Sequence, residues 1–308
     1  MAQATEETRE VGRAGAEPAR MKANYPPMVN KKGKLEVTVR GLRRRRWTDL
    51  YHRLLTLSWG GFLMVWIVVY LSANLFFATL FWLDRGGLSG ARPGSFEDAF
   101  FFSVQTLGTI GYGVIAPKSH FANALVAVES FFSFGVSALS TGLIFARVSR
   151  PTARVIFSRH AVVTPVNGVP TLMFRAANER MNQVLEAEVT VTLARSLTTL
   201  EGVTYRAFQT LALKRSRSPF FALSWSVMHP VDETSPLFGQ TLESLIAAKA
   251  EVVVVLAGVD ETLAQRIYAR HSYLPHDIVW ERRFADILQV EDDGRAVVDF
   301  GLFHDFHD

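Results

Sequence analysis

Thr109-Ile110-Gly111-Tyr112-Gly113 is the segment of this 308-residue chain best suited to chemistry, and that chemistry is ion handling. Glycine at 111 and 113 accepts dihedrals that a Cβ would forbid. Alternate residues can then turn their carbonyls to one side. Rings of such carbonyls, with the Thr109 hydroxyl, can replace an ion's hydration shell. Several adjacent sites let neighbouring ions repel one another and leave quickly. Tyr112 can face outward and brace the ring. Just upstream, Ser95-Phe96-Glu97-Asp98 has the form of a capping box, which predicts a helix start. That helix runs to Leu107 and aims its negative C-terminal end at the pore axis, which favours a cation. A glycine-rich membrane turn with no ion role is the alternative reading of the same residues.

Such a segment needs elements that hold it at membrane depth, because irregular backbone survives there only when buried in protein or lining water. Between Arg53 and Asp84 no charged residue occurs in 30 positions, and between Lys118 and Arg147 only His120 and Glu129 can titrate in 28. A bilayer core needs about 20 apolar helical residues. The runs predict spans over 54–83 and 121–145, with Trp47, Tyr51, Trp59 and Trp82 as an aromatic belt. The connection carries three cations and three anions, whereas the outer flanks carry Arg43 to Arg46 and Arg147, Arg150, Arg154 and Arg159. This asymmetry predicts that both termini are cytoplasmic. An integral protein of a plasma (inner) membrane is expected. Residues 1–42 read as a mobile arm with no signal-peptide core. Trp47, Leu50, Tyr51, Leu54 and Leu55 recur at helical spacing beside the polybasic run, which predicts an interfacial helix; a plain basic linker is the alternative.

After Pro151 the hydropathy period changes to two. Residues 189–193, 220–225 and 251–256 read as strands, and 241–248 as a short helix. Asn167-Gly168, Glu201-Gly202 and Asp293-Gly294 mark turns. The fold class is therefore membrane α plus cytoplasmic all-β: two transmembrane helices with a re-entrant pore helix, then a β-sandwich. The domains are an arm over 1–42, an interfacial helix and two-span pore unit over 43–150, and the β domain over 151–308.

On the second span Ser130, Ser133, Ser137, Ser140 and Thr141 share a helical face. Ser133, Ser137, Ser140 and Thr141 are expected to line a water-filled cavity; bonding to their own helix or small-residue packing would explain the same stripe. Glu129 is an intramembrane ionisable residue, expected to brace the ion-handling segment. Phe145 lies lower on roughly the same side, where a ring can pack against a neighbour or narrow and dewet a water path. Arg45, Arg46, Arg147, Arg150 and Arg154 are expected to meet anionic lipid, with topogenic charge as the alternative. Histidine spacings suggest no metal site, and no P-loop, nucleophile elbow or catalytic triad occurs, so no enzyme and no cofactor are expected. With no cysteine, thiol chemistry is excluded. The basic balance fits a membrane surface better than nucleic acid.

Thr109 to Gly113 between two spans resembles the selectivity filter of potassium channels. Ser140-Thr141-Gly142-Leu143-Ile144-Phe145-Ala146-Arg147, Arg150-Pro151-Thr152-Ala153-Arg154, Phe174-Arg175-Ala176-Ala177-Asn178-Glu179-Arg180, Met228 to Leu237 and Ala269-Arg270-His271-Ser272-Tyr273 resemble the inward rectifiers, the prokaryotic branch in particular. The likeness covers roughly residues 45–300. It implies a homotetramer, potassium held by the filter carbonyls, an immunoglobulin-like cytoplasmic domain, a bundle-crossing gate at Phe145 and binding of anionic phosphoinositides. Ser137 matches the position where an acid strengthens block by intracellular cations, so the resemblance implies weak block. Gln105 and Val114 depart from acids common in relatives, and Gln105 is expected to support the filter through hydrogen bonding. A non-conducting membrane sensor on the same scaffold and a poorly selective cation channel are the competing functions.

Overall fold

The computed structural model describes residues 25–30, 50–290 and 295–307. It falls into two compact units, Gly41–Arg150 and Pro151–Asp308, and residues 25–30 belong with the latter.

In the first unit, α1 (Leu50–Thr56) and α2 (Trp59–Leu83) are separate helices. A single span from residue 54 was expected. The break falls at Leu57–Ser58, where the extended Ser58 caps α2 and its hydroxyl accepts from the Gly61 amide at 3.1 Å. Trp47 and Arg43 to Arg46 lie outside the described residues. The 25 residues of α2 rise about 37 Å, enough to span a bilayer core. A two-residue strand β1 (Leu88–Ser89) follows, then α3 (Phe96–Leu107), β2 (Ala116–Pro117) and α4 (His120–Val148). The 12 residues of α3 rise only about 18 Å, so α3 cannot cross. Ser119 caps α4, which continues one turn past the expected end at 145.

The α3 cap is half of the expected box. Ser95 accepts from the Asp98 amide at 3.1 Å, but the Asp98 carboxylate accepts instead from the Arg92 amide at 2.7 Å and from its guanidinium. Ala73, Phe77 and Phe81 recur every four residues on α2 and meet Ala99, Phe102 and Leu107 of α3 and Ala122 and Leu125 of α4. The Phe81 and Phe102 rings meet edge to face at 4.9 Å.

The second unit is a β-sandwich whose sheets share one apolar core. Its strands are β3 (Val155–Phe157), β4 (Ala161–Val166), β5 (Val169–Asn178), β6 (Val184–Thr198), β7 (Thr204–Thr210), β8 (Arg217–Phe221), β9 (Ser224–Pro230), β10 (Glu251–Asp260), β11 (Gln265–Tyr273) and β12 (Ile278–Trp280). One sheet runs β11-β10-β6-β7 with β8 also on β6; the other runs β12-β4-β5-β3 with β9 also on β5. Residues 187, 189, 191 and 193 of β6 are all buried, as a period of two requires. Asn167 and Gly168 both adopt positive φ and close the β4–β5 hairpin in two residues.

Residues 220–225, expected as one strand, are two. The chain leaves β8 and crosses to the other sheet at Ala222–Leu223 before β9 begins. The expected helix is α5 (Leu242–Ala247), capped by Thr241. Small pairings of β13 (Arg283–Phe284) with β16 (Phe306–His307) and of β14 (Leu288–Val290) with β15 (Ala296–Val298) complete the domain. The Asp293-Gly294 turn lies outside the described residues.

Two motifs acquire physical reasons here. His229 is buried, with Nδ1 at 2.6 Å from the Ala212 carbonyl and Nε2 at 2.7 Å from the Ser235 hydroxyl. It therefore fastens β9 to two loops. Burial pushes its imidazole below the usual histidine range, an effect the Ala212 carbonyl opposes. Arg175 is also buried; it donates to the Ala285 carbonyl and its guanidinium lies 4.6 Å from the Phe284 ring, which pins the C-terminal segment. Residues 25–30, expected in the mobile arm, are held by this unit. The Glu251 carboxylate accepts from the Met28 and Val29 amides at 2.9 and 3.2 Å, and the Ser272 hydroxyl donates to the Val29 carbonyl at 2.6 Å.

Candidate functional site

The last turn of α3 leaves four carbonyls without helical partners. Three of them bind the strand that follows. Gly108 donates to Val104 at 2.9 Å, Thr109 to Thr106 at 3.1 Å, and Ile110 to Gln105 at 2.8 Å. Gln105 thus meets the strand through its main-chain carbonyl. Gly108 is needed for space: a Cβ there would lie 2.8 Å from the Val104 carbonyl oxygen.

Beyond Gly108 the backbone alternates. Thr109, Gly111 and Gly113 have φ of 54°, 60° and 79°, and Ile110 and Tyr112 between them are not left-handed. A Cβ at 111 or 113 would meet no atom of the chain within 4 Å, so these glycines answer to conformation and not to crowding. Thr109 stays left-handed with a side chain, at about 1–2 kcal/mol of strain. Alternation of this kind can turn successive carbonyls toward one side, the arrangement that handles a dehydrated cation.

The strand's far end is also supported. Gly90, at φ 79°, brings its Cα against Val114; a Cβ there would sit 2.1 Å from the Val114 carbonyl oxygen. Beside it, β1 pairs with β2 in register Leu88↔Pro117 and Ser89↔Ala116. Nothing in the spacing of the loop sequence singled out Gly90 or Gly108.

Behind α3 lies a buried polar cluster. The Ser103 hydroxyl is 2.5 Å from Glu129 Oε1 of α4 and 3.3 Å from Asn74 Oδ1 of α2. Asn74 Nδ2 donates to the Tyr70 carbonyl at 2.8 Å. All three residues are fully buried, so the two long helices and the short one share one hydrogen-bonded centre. Asn74 and Ser103 were missed in sequence; a lone amide inside a 30-residue uncharged run was the available signal.

The α4 hydroxyls separate. Ser133, expected in the cavity, is buried and donates to the Leu107 carbonyl at 2.6 Å. Its neighbours on the same face bond their own helix, Ser140 to Val136 at 2.6 Å and Thr141 to Ser137 at 2.9 Å. Ser137 is exposed, and Phe145 is 72% exposed.

Arg147, grouped in sequence with the lipid-binding cations, has another task. Its Nη atoms donate to the Leu54 and Leu57 carbonyls at 2.7 and 2.8 Å, and its guanidinium lies 4.7 Å from both the Trp59 and Phe62 rings. It thus satisfies the C-terminal end of α1 and ties it to α4. Arg150 is exposed and reaches the Leu55 carbonyl at 3.3 Å; Arg154 is exposed in the other unit. Arg45 and Arg46 lie outside the described residues.

Comparison with known proteins gives two family matches. Residues 155–308 match the model of the inward rectifier potassium channel C-terminal domain, and residues 64–150 match that of ion channels. The chain is similar to inward rectifier potassium channel Kirbac3.1 of Paramagnetospirillum magnetotacticum, 44% identical over 284 residues, covering 92% of this chain and 96% of the relative. It is also similar to G protein-activated inward rectifier potassium channel 3 of Mus musculus, 32% identical over 301 residues, covering 90% and 76%. The Homo sapiens channel 2 of that group is 31% identical over 313 residues, covering 94% and 74%.

Proposed function

Because the chain belongs to the inward rectifier potassium channel family, we propose that it is a homotetramer that conducts potassium passively through rings of carbonyls from Thr109 to Gly113. The observation that carries this reading is the alternation of left-handed φ at 109, 111 and 113 on a strand bonded to the end of a non-spanning helix. One chain supplies one such strand, and a ring that replaces a hydration shell needs several. Apolar exposure supports the assembly. Phe131, Phe134, Leu139 and Phe145 are 82%, 68%, 66% and 72% exposed on α4, and Tyr112 is 72% exposed beside the strand. Such surfaces ask for lipid on one side and neighbouring subunits on another.

In this tetramer Phe145 forms the inner gate, closing by narrowing and dewetting. Ser137, Ser140 and Thr141 face the inner cavity, and the neutral Ser137 leaves intracellular cations as weak blockers. Glu129 braces the filter from behind through Ser103. Arg150 and Arg154, with Arg45 and Arg46, attract anionic lipid, phosphoinositides included. The cation-rich outer flanks support an orientation with both termini in the cytoplasm, and the membrane of this reading is the plasma (inner) membrane.

Uptake of rubidium and sodium into liposomes tests the proposal. Rubidium entry well above sodium entry is expected, with a change on adding an anionic phosphoinositide that R150A and R154A abolish. Equal uptake of the two ions would sink the selectivity claim.

A further inference from the structure

Three of the four C-terminal carbonyls of α3 bind the main chain that follows them; the fourth, Leu107, is satisfied from a different helix. The donor is Ser133, 26 residues further along the chain, buried, and 2.6 Å from the carbonyl oxygen. A helical serine has an easier partner, the carbonyl one turn back in its own helix. Ser140 and Thr141 take that option on this same helix. Ser133 does not.

Its contact is one of two rungs. Glu129 and Ser133 are one turn apart on α4, and Ser103 and Leu107 are one turn apart on α3. The first rung joins Ser103 to Glu129 at 2.5 Å, and the second joins Ser133 to Leu107 at 2.6 Å. Matched spacing on both helices fixes their register as well as their separation. Leu107 also stands two residues before Thr109, whose left-handed φ of 54° is strained. Strain of that kind persists only where the surroundings over-determine the backbone.

We propose that Ser133 is a positioning residue for ion selection: by holding the Leu107 carbonyl, it fixes the last turn of α3, and with it the origin of the ion-handling strand, to α4. This rests on the reading of Thr109 to Gly113 as the selectivity filter. The hydroxyl touches no ion. It sets the height from which the strand's carbonyls start, and selection between ions of different radius depends on where those carbonyls stand.

The test compares S133A and S133T with the full-length wild-type channel in liposomes, reading the ratio of rubidium to sodium uptake. S133A is expected to lower the ratio by about fivefold, the factor one ordinary hydrogen bond is worth. S133T keeps the hydroxyl and is expected to hold the wild-type ratio. An S133A ratio equal to wild type overturns the proposal, and so does an equal fall in both variants, which would make side-chain volume the cause. If S133A does not assemble, S133C is read by the same ratio, because it keeps the volume and donates only weakly. A wild-type channel that does not favour rubidium would overturn the filter reading itself, and a selective wild type with an unaltered S133A would overturn the role of Ser133 alone.

Discussion

Replacing Gly111 by alanine adds one methyl group at a position where the chain itself has room for it. A Cβ at 111 meets no atom of its own chain within 4 Å, so crowding within the subunit contributes nothing. The backbone does contribute: φ is 60°, where an L-residue costs about 1–2 kcal/mol. In the proposed tetramer, four copies closing one ring would carry about 4–8 kcal/mol against the conducting conformation. The lower figure alone reduces the conducting population by about a thousandfold. Gly60 supplies the control. It lies in the first turn of α2, a Cβ there also meets nothing within 4 Å, and its φ is not left-handed. Alanine at 60 should be neutral or stabilising, by up to about 1 kcal/mol. Both variants would be purified as assembled channels, reconstituted in liposomes and compared by rubidium uptake. Near-background flux in G111A beside wild-type flux in G60A is expected. Equal flux in the two would refute the reasoning that left-handed backbone at 111 is what conduction requires.

Other consequences are open to measurement. G90A puts a methyl group where the Val114 carbonyl oxygen would be 2.1 Å away, at a φ of 79°; it should lose rubidium uptake while the β domain keeps its circular dichroism, and undiminished uptake would show that the Gly90 loop does not support the strand. E251Q removes the charge that receives two main-chain amides, so hydrogen exchange at Met28 and Val29 should rise by at least about fivefold, read by mass spectrometry on the whole channel; unaltered protection would discard the Glu251 attachment. His229 is a base whose folded-state pKa is depressed by burial. The unfolded chain therefore binds the proton more readily, and the stability this neutral histidine contributes is fully present above about pH 6.5 and is lost progressively as pH falls from there toward the lower folded-state value. The gap in melting temperature between wild type and H229N should narrow from pH 7.5 to pH 5.5, and a gap that stays constant would contradict the assignment.

The sequence alone determined the class of this protein, because its strongest signals are local. An uncharged run of 30 residues has no other comfortable solvent than lipid, and a helix of 12 residues cannot cross it. Glycines spaced by two at 111 and 113 announce an unusual backbone wherever they fall, and the structure has both at positive φ. The period of two after Pro151 required strands, and Asn167-Gly168 required a tight hairpin. Element ends were less legible, since Ser58 caps α2 four residues after an apolar run that began at Leu54, and the strand expected over 220–225 divides where it changes sheets.

What only the tertiary structure decided is which partner each polar atom finds. By helical period Ser133 sits in one stripe with Ser137, Ser140 and Thr141, yet it alone among the three hydroxyls with hydrogen bonds leaves its helix, because Leu107 lies within reach. Arg147 reads as one cation of a cluster, yet both its Nη atoms donate to main-chain carbonyls, of Leu54 and Leu57. Asn74, Ser103 and Glu129 lie on three different helices, and no spacing along a chain encodes their meeting. Periodicity fixes the face a residue occupies. The identity of what stands opposite depends on the crossing of elements far apart in sequence, and that is settled by packing.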